Sequence, residues 1–143
     1  MAIALLSLVG TLLAFYLLAA SLGWTPPPPC GSGECATVQS SEYATIGPVP
    51  VPAIGVAGYL ALLVLALLGL GEGLAGSRAV ALLIFAGALL GVLFSAYLTY
   101  LEAVVIGAWC RYCVASAIVM AAIFGCAWPE SRRLRGARSA EAR

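Results

Sequence analysis

Four long apolar segments dominate the 143-residue chain and leave little room for anything else. They cover residues 3–22, 51–70, 80–106 and 110–128, and each comes close to or exceeds the roughly 20 residues that a helix needs to cross a bilayer. Hydrophobic residues make up 63% of the chain and charged residues only 9%, which excludes a soluble domain with a polar surface. We therefore predict an all-α integral membrane protein, a bundle of four transmembrane helices.

The four spans divide the chain into simple parts. Residues 1–129 are predicted to form one membrane domain, and residues 130–143 to form a basic, disordered cytoplasmic tail. Of the connecting segments only residues 23–50, between the first two spans, are long enough to fold into anything more than a turn. The domain organisation is thus one helical bundle with one sizeable loop.

The positive charges are distributed unevenly between the segments that connect the spans. Arg78 lies in the turn between the second and third spans, and most of the seven arginines lie in residues 130–143. The loop at residues 23–50 has neither Arg nor Lys, and Arg111 is the one arginine on the loop's side of the membrane. Because cytoplasmic segments are enriched in Arg and Lys, both termini are predicted to lie in the cytoplasm and the loop on the outer side.

The outer loop carries the first of two cysteine pairs. Four consecutive prolines at residues 26–29 predict a stiff, extended connector, and Cys30 and Cys35 follow it with two glycines between them. Such a loop can close a disulfide with little strain and still move. On the outer side of a membrane a disulfide also persists.

A short surface helix is predicted directly after this pair. Val38, Ser41 and Thr45 recur at helical spacing, which indicates a helix over residues 36–45 that lies on the membrane instead of crossing it. Three prolines between residues 47 and 52 are expected to end this helix and to lead into the second span.

A second cysteine pair stands at the head of the fourth span. Two residues separate Cys110 from Cys113, so on a helix they lie one turn apart on the same face, where they can form and reopen a disulfide. The first turn of a helix offers free backbone N–H groups and the positive end of the helix dipole, and both stabilise a thiolate. Since the chain has no histidine, we expect this helix end to activate the attacking sulfur.

Two cysteine pairs on one side of the membrane predict a relay. A thiolate of one pair can attack the disulfide of the other through a mixed disulfide, which moves two electrons while neither pair leaves its place. A pair at the edge of the hydrocarbon, near the small residues Gly55 and Gly58 of the second span, is well placed to reduce a lipid-soluble quinone. Glu102, the one acidic residue within the spans, either serves this reaction as proton carrier or hydrogen-bond partner, or extends to the interface.

Two other functions fit the same cysteines. The four thiols have the composition of a structural zinc site, although the chain lacks a soluble module that such an ion would hold together. The chain also fits a small four-span transporter or scaffold with structural cysteines, in which Glu102 would serve equally well.

The order of these residues resembles the vitamin K epoxide reductase family, in its bacterial quinone-reducing branch. The resemblance is carried by Cys30, the segment CATVQSSEYA from Cys35, Gly47, Pro50, Gly55, Tyr59 and the segment WCRYC that ends at Cys113. A C-x-x-C motif alone is common, but this combined order is specific.

The resemblance implies a four-helix bundle around a quinone of the ubiquinone or menaquinone type, with no metal. Cys110 would exchange with the loop pair, and Cys113 would face the quinone. Val38, Ser41 and Glu102 fall at positions that bind the quinone or support its site.

The resemblance also implies a partner and a location. The loop pair would accept electrons from a thioredoxin-fold protein, which is fused to the same chain in some members; no such domain follows here, which predicts a partner in trans. The enzyme would lie in the bacterial inner membrane and support disulfide formation outside the cytoplasm. Epoxide-reducing members have a tyrosine below the C-x-x-C motif and an asparagine before the second span. Here Ala117 stands at the first position and the chain has no asparagine, which favours quinone reduction over epoxide opening.

Overall fold

A computed structural model describes residues 1–26, 28–29, 34–71, 73 and 76–141, and the side chains of these residues up to Pro129. In chain order the elements are α1 (Ala2–Ser21), α2 (Glu34–Ser40), a 3₁₀ turn (Glu42–Ala44), β1 (Thr45–Ile46), β2 (Val49–Pro50), α3 (Val51–Leu70), α4 (Arg78–Tyr100), a π-helix (Leu101–Ile106) and α5 (Arg111–Glu141).

Four of these helices are long and apolar enough to cross a membrane, which confirms the predicted all-α membrane bundle. They are Ala2–Ser21, Val51–Leu70, the continuous segment Arg78–Ile106 and Arg111–Pro129. Large apolar side chains cover their outward faces, for example Leu90, which is 67% exposed. A soluble protein rarely exposes so much contiguous apolar surface, whereas in a bilayer these side chains face lipid.

The four spans form a ring in the order α1, α3, α4, α5. α1 packs most extensively against α3, and α4 against α5, while α3 and α4 make the least extensive of these contacts. The close α1–α3 contact depends on Gly10, because a side-chain carbon there would collide with the ring of Tyr59. Small residues that admit another helix are typical of membrane bundles. The looser α3–α4 side leaves a gap in the wall of the bundle.

The outer loop folds over one end of the bundle. The predicted surface helix exists as α2, but it ends at Ser40 and not at residue 45, because Ser41 adopts an extended backbone conformation. A small antiparallel hairpin of β1 and β2 follows, with Gly47 at a φ of +62° in its turn. That positive φ explains the glycine at this position. Pro52 then occupies the first turn of α3, where the missing N–H costs nothing.

The third span ends in an unusual turn. α4 passes into the π-helix Leu101–Ile106, and Gly107, with a φ of +70°, terminates it by donating its N–H to the carbonyl oxygen of Glu102. The N–H of Ala108 donates to the same oxygen at 3.1 Å. π-Turns are rare and frequently mark functional sites. Here the wide turn carries Glu102 into the interior, where the side chain is only 3% exposed.

The last helix differs from the prediction at its far end. The sequence predicts that the fourth span stops at Pro129 and that a disordered tail follows, but α5 continues through Pro129 to Glu141. Proline removes one backbone hydrogen bond, which membrane helices tolerate when the freed carbonyl finds other partners. The Ala, Arg, Leu and Glu residues that follow are strong helix formers, so the backbone resumes its hydrogen bonding.

Candidate active site

The two cysteine pairs approach each other where α2 lies against the head of α5. Cys35 and Cys110 are both fully buried and belong to one cluster, against which Val38, Tyr112 and Cys113 pack. Cys35 is disulfide-bonded, whereas Cys110 and Cys113 are free thiols. Cys30, the other predicted catalytic cysteine of the loop, lies outside the described residues. The structure thus brings one cysteine of each pair together at one end of the bundle.

Cys110 lies one residue before α5, just outside the membrane-spanning segment. The thiol of Cys113 donates a hydrogen bond to the Cys110 sulfur and lowers the pKa of Cys110. The backbone N–H groups of Cys113 and Tyr112 act in the same direction, while burial and the nearby carboxyl of Glu102 oppose it. The sulfur therefore occupies the N-cap position of the helix, where free N–H groups stabilise negative charge.

Glu102 contacts both members of this pair. Its Oε2 accepts a hydrogen bond from the backbone N–H of Cys110 at 3.1 Å. The same carboxyl is within hydrogen-bonding reach of the Cys113 thiol. Since the side chain is buried, Glu102 does not extend to the membrane interface, which is the second position predicted for it from the sequence. A carboxyl held against a thiol at the edge of the hydrocarbon can accept or return a proton.

A cavity of about 370 Å³ opens beside Cys113, on the looser side of the bundle between α3 and α4. Its wall is mostly apolar, and the small residues Gly55, Gly58 and Gly91 provide part of the space. The volume and lining are those of a site for a flat, lipid-soluble molecule. Cys113 is the cysteine that lines this cavity among the residues that the structure describes.

A second, smaller cavity of about 50 Å³ lies under α2 and also reaches Cys113. Val38, Ser41 and Glu102, which the sequence places near the site, all line it. Ser41 is held in position by its own hydroxyl, which donates to the carbonyl oxygen of Val38 at 2.7 Å. Three of the four predicted supporting residues therefore surround one small space next to Cys113.

The fourth predicted supporting residue, Ala117, is half-buried on α5 and follows Ser116 in the chain. It is Ser116 that lines the large cavity, together with Tyr59 of α3. The Tyr59 hydroxyl donates to the Ser116 carbonyl oxygen at 2.7 Å and lies 2.9 Å from the Ser116 hydroxyl. Sequence reasoning missed this pair as part of the site, although Ser116 falls one helical turn after Cys113 and thus on the same face.

Residues 1–128, which include all four spans and both cysteine pairs, match the model of the vitamin K epoxide reductase family.

Proposed function

Because the chain belongs to the vitamin K epoxide reductase family, it is a membrane oxidoreductase, and we propose that it is a thiol oxidase that reduces a quinone. Electrons enter from the dithiol of a thioredoxin-fold protein in trans and pass through the pair Cys30 and Cys35. They continue to Cys110 and Cys113 and leave on a quinone of the ubiquinone or menaquinone type. The net product is a disulfide in the partner protein on the outer side of the bacterial inner membrane.

The position of Cys113 carries this proposal. Its sulfur touches Cys110 on one side and lines the large apolar cavity on the other. Cys110 in turn is buried against Cys35. Cys35, Cys110 and Cys113 thus follow one another from the loop to the apolar cavity, which is the order that a relay needs.

The first transfer is a thiol–disulfide exchange. The partner's two thiols reduce the loop disulfide, and one loop thiolate then attacks the sulfur of Cys110 in the Cys110–Cys113 disulfide. The mixed disulfide resolves when the second loop thiol attacks, which restores the loop disulfide and leaves Cys110 and Cys113 as thiols. After this transfer Cys35 is again in a disulfide, and Cys110 and Cys113 are thiols.

The second transfer gives the electrons to the quinone. Cys110 and Cys113 lose two electrons and two protons as their disulfide forms, and the quinone gains both to become a quinol. Glu102 accepts the proton of Cys113 and returns it toward the acceptor, since its carboxyl reaches that thiol and accepts the Cys110 N–H. Quinone reduction suits this chain better than epoxide opening, because it has Ala117 and no asparagine where epoxide-reducing members carry hydrogen-bonding side chains.

Anaerobic mixing of the purified protein with a reduced thioredoxin-fold protein and several quinones tests the proposal. Ultraviolet absorbance should show quinone reduction by the wild-type protein and none by Cys113→Ala, while Cys126→Ala should retain the wild-type rate. Cys126 is an exposed free thiol of α5 away from the site, so it is the matched control. Absence of reduction with every quinone would refute the proposal, and bound zinc in a metal analysis would favour a structural site for the cysteines.

A further inference from the structure

The side-chain amide of Gln39 has no role in the site described so far. The residue lies on α2 between Val38 and Ser41, and it lines the small cavity next to Cys113. Its Nε2 atom is buried and has no hydrogen-bond partner among the residues that the structure describes. A buried amide N–H without a partner is costly, so such a group in a functional site calls for a partner that binds there.

Two other polar side chains around this cavity already have hydrogen-bond partners. The Ser41 hydroxyl donates to the Val38 carbonyl oxygen, and the Glu102 carboxyl accepts the N–H of Cys110. The buried Nε2 of Gln39 has no such partner among the described residues, whereas Tyr43, which also lines this cavity, is exposed to solvent. The bond is available to a molecule that enters the site with an acceptor oxygen.

The two cavities adjoin each other at Cys113. They share several lining residues besides this cysteine, namely Leu17, Val51, Pro52 and Leu98. A planar ring in the large cavity, with its edge at the Cys113 sulfur, can place one ring oxygen where the two cavities adjoin. That oxygen is an acceptor, and Gln39, which lines the small cavity, offers it an amide donor.

We propose that the Gln39 amide donates a hydrogen bond to a carbonyl oxygen of the quinone that Cys113 reduces. The inference rests on the proposed function and adds the residue that orients the acceptor. Negative charge develops on that oxygen during reduction, so the bond strengthens as the reaction proceeds. Gln39 then supplies in this chain what Ala117 and the missing asparagine cannot.

The test compares Gln39→Met with Ser40→Ala in the purified full-length protein. Methionine keeps the length of the side chain and removes the donor, while Ser40 is the exposed neighbour on α2. With ubiquinone bearing one isoprenyl unit as the probe, loss of one neutral hydrogen bond should raise KM roughly three- to tenfold in Gln39→Met. The kcat should also fall, and Ser40→Ala should match the wild type in both.

A second measurement does not depend on turnover. In a Cys113→Ala background, the infrared carbonyl band of bound ubiquinone should lie at lower frequency with Gln39 than with Gln39→Met, because hydrogen bonding weakens the C=O bond. Gln39→Glu, which places a carboxyl where the amide was, should slow reduction further if it keeps the wild-type melting temperature, since it presents negative charge to the same oxygen.

The outcomes separate the two proposals. A wild-type protein that reduces no quinone refutes the proposed function. A wild-type protein that reduces ubiquinone, with KM and the carbonyl band unchanged in Gln39→Met, overturns the role of Gln39 alone and assigns its amide to water in the small cavity, which is large enough to hold one.

Discussion

Cys110 and Cys113 are one helical turn apart, yet their surroundings differ in a way that suits two different tasks. Cys110 receives hydrogen bonds from backbone N–H groups at the head of α5 and from the thiol of Cys113. Cys113 lies deeper, between a carboxyl and an apolar cavity. A sulfur stabilised as thiolate suits exchange with another cysteine, and a sulfur beside a proton acceptor and a lipid-facing space suits electron transfer to a quinone.

The acidity of Cys110 should depend on the residue at position 113. Because the Cys113 thiol donates to the Cys110 sulfur and lowers the pKa of Cys110, Cys113→Ala should raise that pKa, whereas Cys113→Ser keeps a donor. At a given pH the thiolate fraction is therefore smaller in Cys113→Ala, and it is lost at a higher pH as the solution is acidified.

Thiolate absorbance across a pH titration measures this difference, in a background in which Cys30, Cys35 and Cys126 are serine. The expected result is a lower midpoint for Cys113→Ser than for Cys113→Ala. Equal midpoints would mean that the side chain at position 113 contributes nothing to the acidity of Cys110, which would leave the backbone N–H groups, burial and Glu102 to determine its pKa.

Two variants of Glu102 distinguish its hydrogen bond to the Cys110 backbone from its role as a proton acceptor. Glu102→Gln keeps an oxygen that accepts the Cys110 N–H but cannot accept a proton, so kcat for quinone reduction should fall roughly 100-fold or more with the melting temperature unchanged. Glu102→Leu cannot accept a proton either, and it also leaves that buried N–H unpaired. The free energy of unfolding of Glu102→Leu should therefore be lower than that of the wild type by ~1–3 kcal/mol. Steady-state kinetics and thermal unfolding in detergent check both, and a fully active Glu102→Gln would leave Glu102 only its structural bond.

At the scale of the elements, the contact between α1 and α3 determines where the Tyr59 ring stands. Gly10→Ala should push against this ring and lower the free energy of unfolding by about 1–3 kcal/mol, the usual cost of overpacking. It should also disturb the bond from Tyr59 to Ser116. Gly125→Ala is the control, because an added carbon there meets no atom within 4 Å. Thermal unfolding of the two variants should show a loss for Gly10→Ala only, and equal stability would mean that α1 and α3 separate at little cost.

The sequence predicts the elements far better than the details of the site. Apolar length alone identifies all four spans, because lipid allows few alternatives to a helix of about 20 residues. The π-turn that turns Glu102 inward has no comparable signal, since it depends on how α4 meets the head of α5. The hydrogen bond between Tyr59 and Ser116 joins residues 57 positions apart, so no local pattern predicts it. Gln39 is recognised as a site residue only from the cavity that α2 covers.

Across the whole molecule, the relay requires that both cysteine pairs lie on the same side of the membrane. In the part of the chain that the structure describes, Cys35 of α2 and Cys110 at the head of α5 lie in one buried cluster at one end of the bundle. The connection between α3 and α4, which includes Gly73 and precedes Arg78, lies at the opposite end of those helices. Which end faces outward is inferred from the arginines: five of the seven lie in residues 130–143, and Arg78 begins α4 directly after that connection.

Labelling of single cysteines in intact cells decides the orientation. In a background with all five native cysteines replaced by serine, Ser40→Cys should react with a membrane-impermeant maleimide, because Ser40 is exposed beside the site on α2. Gly73→Cys should react only after the membrane is permeabilised. The reverse pattern would place the thiols in the reducing cytoplasm, where a pathway that makes disulfides has no use, and the proposed flow of electrons from an outer partner would fail even with the cavity and the cysteines arranged as they are.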